Sequence, residues 1–78
     1  MIRVVVVDDH PVVRDGVVAT ISAAPGLEVV GQVGDGPAAV QITAALDPDV
    51  VVMDLRMPGG GGVEAVREMK ARGLTAAV

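Results

Sequence analysis

Ile2-Arg3-Val4-Val5-Val6-Val7-Asp8-Asp9-His10-Pro11 is the stretch that decides the fold. Four consecutive valines behind Ile2 form a short β-branched run, which reads as a strand from Ile2 to Val7. A strand without polar alternation is buried on both faces, so its sheet is parallel and carries helices on each side. Two acids close the run, and Pro11 follows where a helix can begin, because its missing N–H costs nothing at the first helical position.

The same pairing of apolar run and helical pattern repeats outward from there. Pro11 to Ala24 places Val13, Val17, Ile21 and Ala24 at helical spacing, and Pro25-Gly26 stops it. Leu27 to Val33 reads as a second strand. Gly34-Asp35-Gly36 turns the chain, and Pro37 opens a second helix to Leu46 with Ala39, Ile42 and Leu46 on one face. Asp47-Pro48 ends it. Asp49 to Asp54 is a third strand. Arg56 to Gly62 is a loop, and Val63 to Arg72 a third helix with Val63, Val66 and Met69 inward. Glu68 and Arg72 stand four apart in the favourable order. Gly73 caps this helix, and Leu74 to Val78 looks like the start of a fourth strand. The result is β-α-β-α-β-α-β with right-handed crossovers, an α/β doubly wound parallel sheet forming one domain over residues 1–78.

Composition removes several classes of function. There is no cysteine, so disulfides and cysteine zinc sites are excluded, and one histidine builds no zinc cage. Hydrophobic residues make up 51% of the chain, too many for a disordered tail, and none of them is aromatic. Without aromatic rings there is no platform for stacked bases. A net charge of −4 with six basic residues argues against a phosphate-backbone binder, so no nucleic acid is expected to bind this chain. No apolar run reaches the ~20 residues that span a bilayer. Acids interrupt the first apolar stretch too early for a signal peptide. The expectation is a cytoplasmic domain without a membrane partner.

Three aspartates stand at strand ends: Asp8 and Asp9 after the first strand, Asp54 after the third. In open α/β sheets ligands bind beyond the carboxyl ends of strands, where strand order reverses. With the second and third strands on either side of the first, in the flavodoxin-like order 2-1-3-4, all three acids share one crevice. Clustered carboxylates repel, and a hard divalent cation neutralises them. Mg²⁺ suits a site with few protein ligands that keeps some waters. An aspartate beside such an ion is a nucleophile toward phosphorus. The competing reading is that these acids are ordinary loop and helix-capping residues.

Val7-Asp8-Asp9-His10-Pro11-Val12-Val13-Arg14, taken with Asp49-Val50-Val51-Val52-Met53-Asp54-Leu55-Arg56-Met57-Pro58-Gly59, resembles the receiver domain of bacterial response regulators. The Asp-Asp-His-Pro and Asp-Leu-Arg-Met-Pro-Gly stretches are similar to the subfamily whose receivers precede a LuxR-type helix-turn-helix domain. The likeness covers the whole chain. It implies a CheY-like fold, incomplete because the family's last strand and helices are missing. It also implies that Asp54 is the phosphoacceptor and catalytic group, and that Asp8 and Asp9 hold Mg²⁺ together with the acceptor Asp54. At Arg56 the metal ligand is the backbone carbonyl. The implied partners are a sensor histidine kinase and small acyl phosphates. The family's phosphoryl-binding Ser/Thr and Lys have no counterpart: Thr75 begins its strand and Lys70 lies on the third helix.

An alternative reading makes the chain a truncated, phosphorylation-incompetent module that binds or assembles, as a homo-oligomer or domain swap through the exposed sheet edge. A third is an aspartate-nucleophile phosphatase, but the second aspartate that chemistry wants is here Arg56. Smaller features have bland readings. His10 is a helix-entry residue before it is a ligand or phosphohistidine, and Arg14 a solvated helix residue. Gly34 to Ala39 fits G-x-G-x-x-A, yet Pro37 removes a donor the pyrophosphate needs, and a turn with a helix cap explains it better. Gly59 to Gly62 is a turn before it is a phosphate nest.

Overall fold

The computed structural model describes residues 1–54 and 61–77. Along them run β1 (Ile2–Val7), α1 (Pro11–Ser22), β2 (Leu27–Val33), α2 (Gly36–Leu46), β3 (Val50–Met53) and α3 (Gly62–Ala71). The strands form one parallel sheet in the order β2-β1-β3. The expected fourth strand is represented by a single parallel bridge between Ala77 and Val50. The Ala77 carbonyl accepts from the Val51 N–H at 2.7 Å, and its own N–H donates to the Asp49 carbonyl at 3.0 Å. This places the segment after α3 beside β3, in agreement with the order 2-1-3-4. Val78 lies outside the described residues.

β1 is the central strand because its valines are useful on both sides. Val4 to Val7 are each at most 3% exposed. Val5 and Val7 join Ala39 and Val40 of α2, Val51 of β3 and Ala65 and Met69 of α3 in the main core. Val4 and Val6 point to the opposite face, by the two-residue alternation of a strand. α1 packs against β1 and β2. Burial on both faces therefore holds for β1 but not for the sheet as a whole. β2 is an edge strand with Glu28 and Gln32 exposed. Val52 of β3 is 39% exposed, since α1 lies over the other two strands.

The same placement leaves the apolar residues of α1 only partly covered. No residue of this helix is fully buried; Val17, Val18 and Ile21 are half-buried, and Val13 is 51% exposed. The helix ends at Ser22, so Ala24 belongs to the turn before β2. In α3 the inward face differs from expectation. Gly62, Ala65 and Met69 are buried, whereas Val63 is 46% exposed. A three-residue spacing such as 63, 66, 69 drifts around a helix of 3.6 residues per turn. Ala65 lies beside Gly36, Pro37 and Val40 of α2, on the face of α3 that approaches that helix.

Local chemistry fixes the ends of these elements. Asp35 caps α2, its carboxylate accepting from the Ala38 N–H at 2.7 Å, which is the turn-and-cap reading of the Gly34–Ala39 stretch. Gly73, at φ 73°, ends α3 with the Gly73 and Leu74 N–H groups bonded back to Lys70 and Met69 carbonyls, each at 3.0 Å. The Glu68–Arg72 pair forms at 3.1 Å. Arg3 ties β1 to the end of α2 by donating to the Leu46 and Asp47 carbonyls at 2.7 and 3.0 Å. β2 carries an irregularity: Val4 pairs with Val29 but Val5 with Gly31, so Val30 is extra. Among the described residues no helix is long and apolar enough to cross a membrane.

Candidate functional site

The site grows from the carboxyl edge of the sheet. Register pairs Val7 of β1 with Val33 of β2 on one side and with Met53 of β3 on the other. The ladder extends one step further on both sides: the Asp8 N–H donates to the Val33 carbonyl and the Asp54 N–H to the Val7 carbonyl, each at 3.2 Å. Asp8 and Asp54 are thus held at adjacent strand ends, where strand order reverses around β1.

Asp8 is 7% exposed, the one buried charged residue among the described residues. One of its carboxylate oxygens accepts from the His10 N–H at 2.8 Å, which curls the chain from strand to helix. Asp9 is partly buried. Its Oδ1 lies 2.9 Å from His10 Nδ1, and Asp8 Oδ1 lies 3.7 Å from the same nitrogen. Possible ligand atoms of Asp8, Asp9 and His10 fall within 4.8 Å of one another. His10 is the residue before α1, with extended backbone at φ −98° and ψ 109°, so its expected place at the helix entry is correct. Its approach to both acids was not part of that expectation.

The expected trio is therefore assembled in two parts. Asp8 and Asp9 converge with His10, while Asp54 stands partly buried at the neighbouring strand end and outside that tight group. Arg56, expected to offer a carbonyl, lies outside the described residues, as do Gly59 and Gly60. Gly61 precedes α3 in the left-handed region, at φ 64°.

The donor set fits a hard cation. Asp9 Oδ1 is buried, and the neighbour it faces is His10 Nδ1 at 2.9 Å. Two carboxylates converging at a strand-end rim suit oxygen-seeking Mg²⁺ better than a softer ion.

Arg14 corrects the sequence reading most clearly. It is half-buried rather than solvated, and its Nη1 donates to the Asp8 carbonyl at 3.2 Å. The signal available in sequence was its position, six residues after Asp8 on the first turns of the following helix, from which a long side chain folds back over the strand end.

Residues 4–78 match the family profile of the response regulator receiver domain. The chain is 49% identical over 69 residues to the response regulator GacA of Pseudomonas viridiflava, covering 88% of this chain and 32% of that protein. It is 45% identical over 69 residues to the transcriptional regulatory protein LiaR of Bacillus subtilis, covering 88% of this chain and 33% of that one. Among solved structures, a LuxR-family two-component response regulator from Aurantimonas superposes with a TM-score of 0.87 at 42% identity, over 95% of this chain and 53% of that one. The response regulator domain of Thermotoga maritima CheB gives 0.89 at 39% identity, over 96% and 56%. The chain spans about a third of the length of these curated relatives.

Proposed function

Because the chain belongs to the response-regulator receiver-domain family of two-component systems, we propose that it is a phosphorelay receiver, phosphorylated on Asp54 in a magnesium-dependent reaction that controls a response. In longer family members such as LiaR, a transcriptional regulatory protein, that response is transcription. The observation that carries the reading is the convergence of the Asp8 and Asp9 carboxylates at the strand end next to Asp54. The phosphoryl donor is the phosphohistidine of a sensor kinase or a small acyl phosphate, and the location is the cytoplasm.

Asp54 supplies the nucleophile. One of its carboxylate oxygens attacks phosphorus, the bond from phosphorus to the donor's nitrogen or acyl oxygen breaks, and that atom leaves with the electron pair. The product is an acyl phosphate on Asp54. Attack by water at phosphorus later releases inorganic phosphate and restores the carboxylate. Asp8 and Asp9 would hold Mg²⁺, with the Arg56 carbonyl as a further ligand. When bound, the ion offsets charge on the transferring oxygens. Asp8, anchored by its amide to β2, and Asp54, anchored by its amide to β1, keep acceptor and ligand on one rigid edge. This is switch chemistry of a signalling domain rather than turnover of a substrate.

The test is phosphorylation by acetyl phosphate followed by intact mass, with and without Mg²⁺. The expected result is one phosphoryl group added only with Mg²⁺ and none in Asp54→Asn. A phosphoryl group that persists in Asp54→Asn overturns the assignment.

A second reading is favoured by one feature. Val52 is 39% exposed on the sheet face that α1 leaves open, and the β3 edge carries only the Ala77 bridge among the described residues. Such a surface suits a module that assembles with a second copy. Sedimentation at several concentrations decides it: a monomer throughout excludes assembly.

A further inference from the structure

Asp8 is restrained at three atoms. Its N–H donates to the Val33 carbonyl at 3.2 Å, its carboxylate accepts from the His10 N–H at 2.8 Å, and its carbonyl accepts from Arg14 Nη1 at 3.2 Å. The first two restraints belong to the sheet ladder and the strand-to-helix turn. The third comes from a side chain that reaches back from α1. The Arg14 guanidinium is enclosed as it does so, since its Nε is buried without a partner. Leaving a buried donor unpaired is costly, so the position is held by what Nη1 gains at the Asp8 carbonyl.

The room for this reach comes from Gly34, the residue that follows β2. A Cβ added at Gly34 would lie 3.0 Å from Arg14 Nη1 and 3.9 Å from the Asp8 carbonyl oxygen. That is tighter than nine in ten real Cβ contacts, so the guanidinium would have to give by a few tenths of an ångström, and Gly34 is not in the left-handed region that by itself calls for glycine. What glycine provides here is space for a guanidinium.

We infer that Arg14 is a positioning residue for the cation site: it fixes the Asp8 peptide from α1, through a gap that Gly34 keeps open. The inference rests on reading Asp8 and Asp9 as the Mg²⁺ ligands. Its direction is diagnostic. Arg14 is a cation close to the site, so on charge alone its removal tightens Mg²⁺ binding. Removal that weakens binding reports position instead. Loss of one charge-assisted hydrogen bond at a ligand's own peptide corresponds to about a tenfold weakening.

The experiment titrates Mg²⁺ into the chain by calorimetry and, in parallel, follows amide hydrogen exchange at Asp8 and His10, with Val5 and Val51 as core references. The variants are Arg14→Met, Gly34→Ala and the two combined. Arg14→Met is expected to weaken Mg²⁺ about tenfold and to speed exchange at Asp8 and His10 while the core references stay protected. Gly34→Ala, which displaces the guanidinium without removing it, is expected to weaken binding less and to add nothing in the Arg14→Met background. Binding that is unchanged or tighter in Arg14→Met overturns the inference, as does a full Gly34→Ala effect without Arg14. If Arg14→Met does not fold, Gly34→Ala alone decides, since unchanged binding and exchange there refute it. Failure of the metal reading is separate: it shows as no Mg²⁺ binding by the unsubstituted chain, and exchange at Asp8 and His10 then decides the positioning role.

Discussion

Gly31→Ala tests how closely α2 rides on β2, and through that the register that delivers the site. A Cβ at Gly31 would collide with Ile42 Cδ1 and lie 3.4 Å from both Ile42 Cγ1 and Leu46 Cδ1. Ile42 is half-buried and packs against the core, so relieving the clash requires Ile42 to swing its Cδ1 methyl aside or α2 to shift. Overpacking of this kind costs about 1–3 kcal/mol. Against it, alanine restricts the unfolded chain and recovers roughly 0.4–1 kcal/mol, because Gly31 is not in the left-handed region. The net expectation is a loss of about 1–2 kcal/mol, or a fall in melting temperature of about 4–8 °C per kcal/mol for a domain this small. Ile42→Val removes the colliding methyl and alone costs about 0.5–1.5 kcal/mol. Combined with Gly31→Ala, it should cost less than the two single changes added together. The assay is urea unfolding followed by far-ultraviolet circular dichroism, since the chain has no Trp or Tyr. Strict additivity, or a stabilising Gly31→Ala beside an intact Ile42, refutes the close approach. The functional consequence is expected at Asp8, whose amide hangs on Val33, two residues beyond Gly31 on the same strand.

Arg3→Met should destabilise by about 1–3 kcal/mol, because a cation leaves the last carbonyls of α2; a midpoint within error of the parent in urea contradicts the capping role. Asp35→Ala removes the carboxylate that caps α2 and should cost about 0.5–2 kcal/mol, with Asp35→Ser recovering most of it in the same unfolding assay. Thr43 is 1% exposed and its hydroxyl has no partner, so Thr43→Val should stabilise by about 1 kcal/mol; a thermal melt that falls instead shows that the hydroxyl is satisfied in solution.

What was legible in the sequence is what is written in consecutive residues. The valine run of β1, the Pro11 and Pro37 helix starts, the Gly73 stop and the alternation of strand and helix follow from backbone preference and burial, and each is local. The acids at the strand ends were legible for the same reason: a parallel sheet puts the residues after its strands on one edge, so Asp8, Asp9 and Asp54 could be assigned to that edge before any coordinate was known. Tertiary structure decided what depends on distance around a helix or across the sheet. It turned Val13 and Val63 outward, because α1 covers two strands of three and α3 directs Gly62, Ala65 and Met69 inward. It brought His10 into the Asp8–Asp9 pair and folded Arg14 back onto the Asp8 carbonyl through the space at Gly34. Backbone patterns state where a side chain begins; where its far end comes to rest is set by the neighbours packed around it, and those neighbours come from other strands and helices.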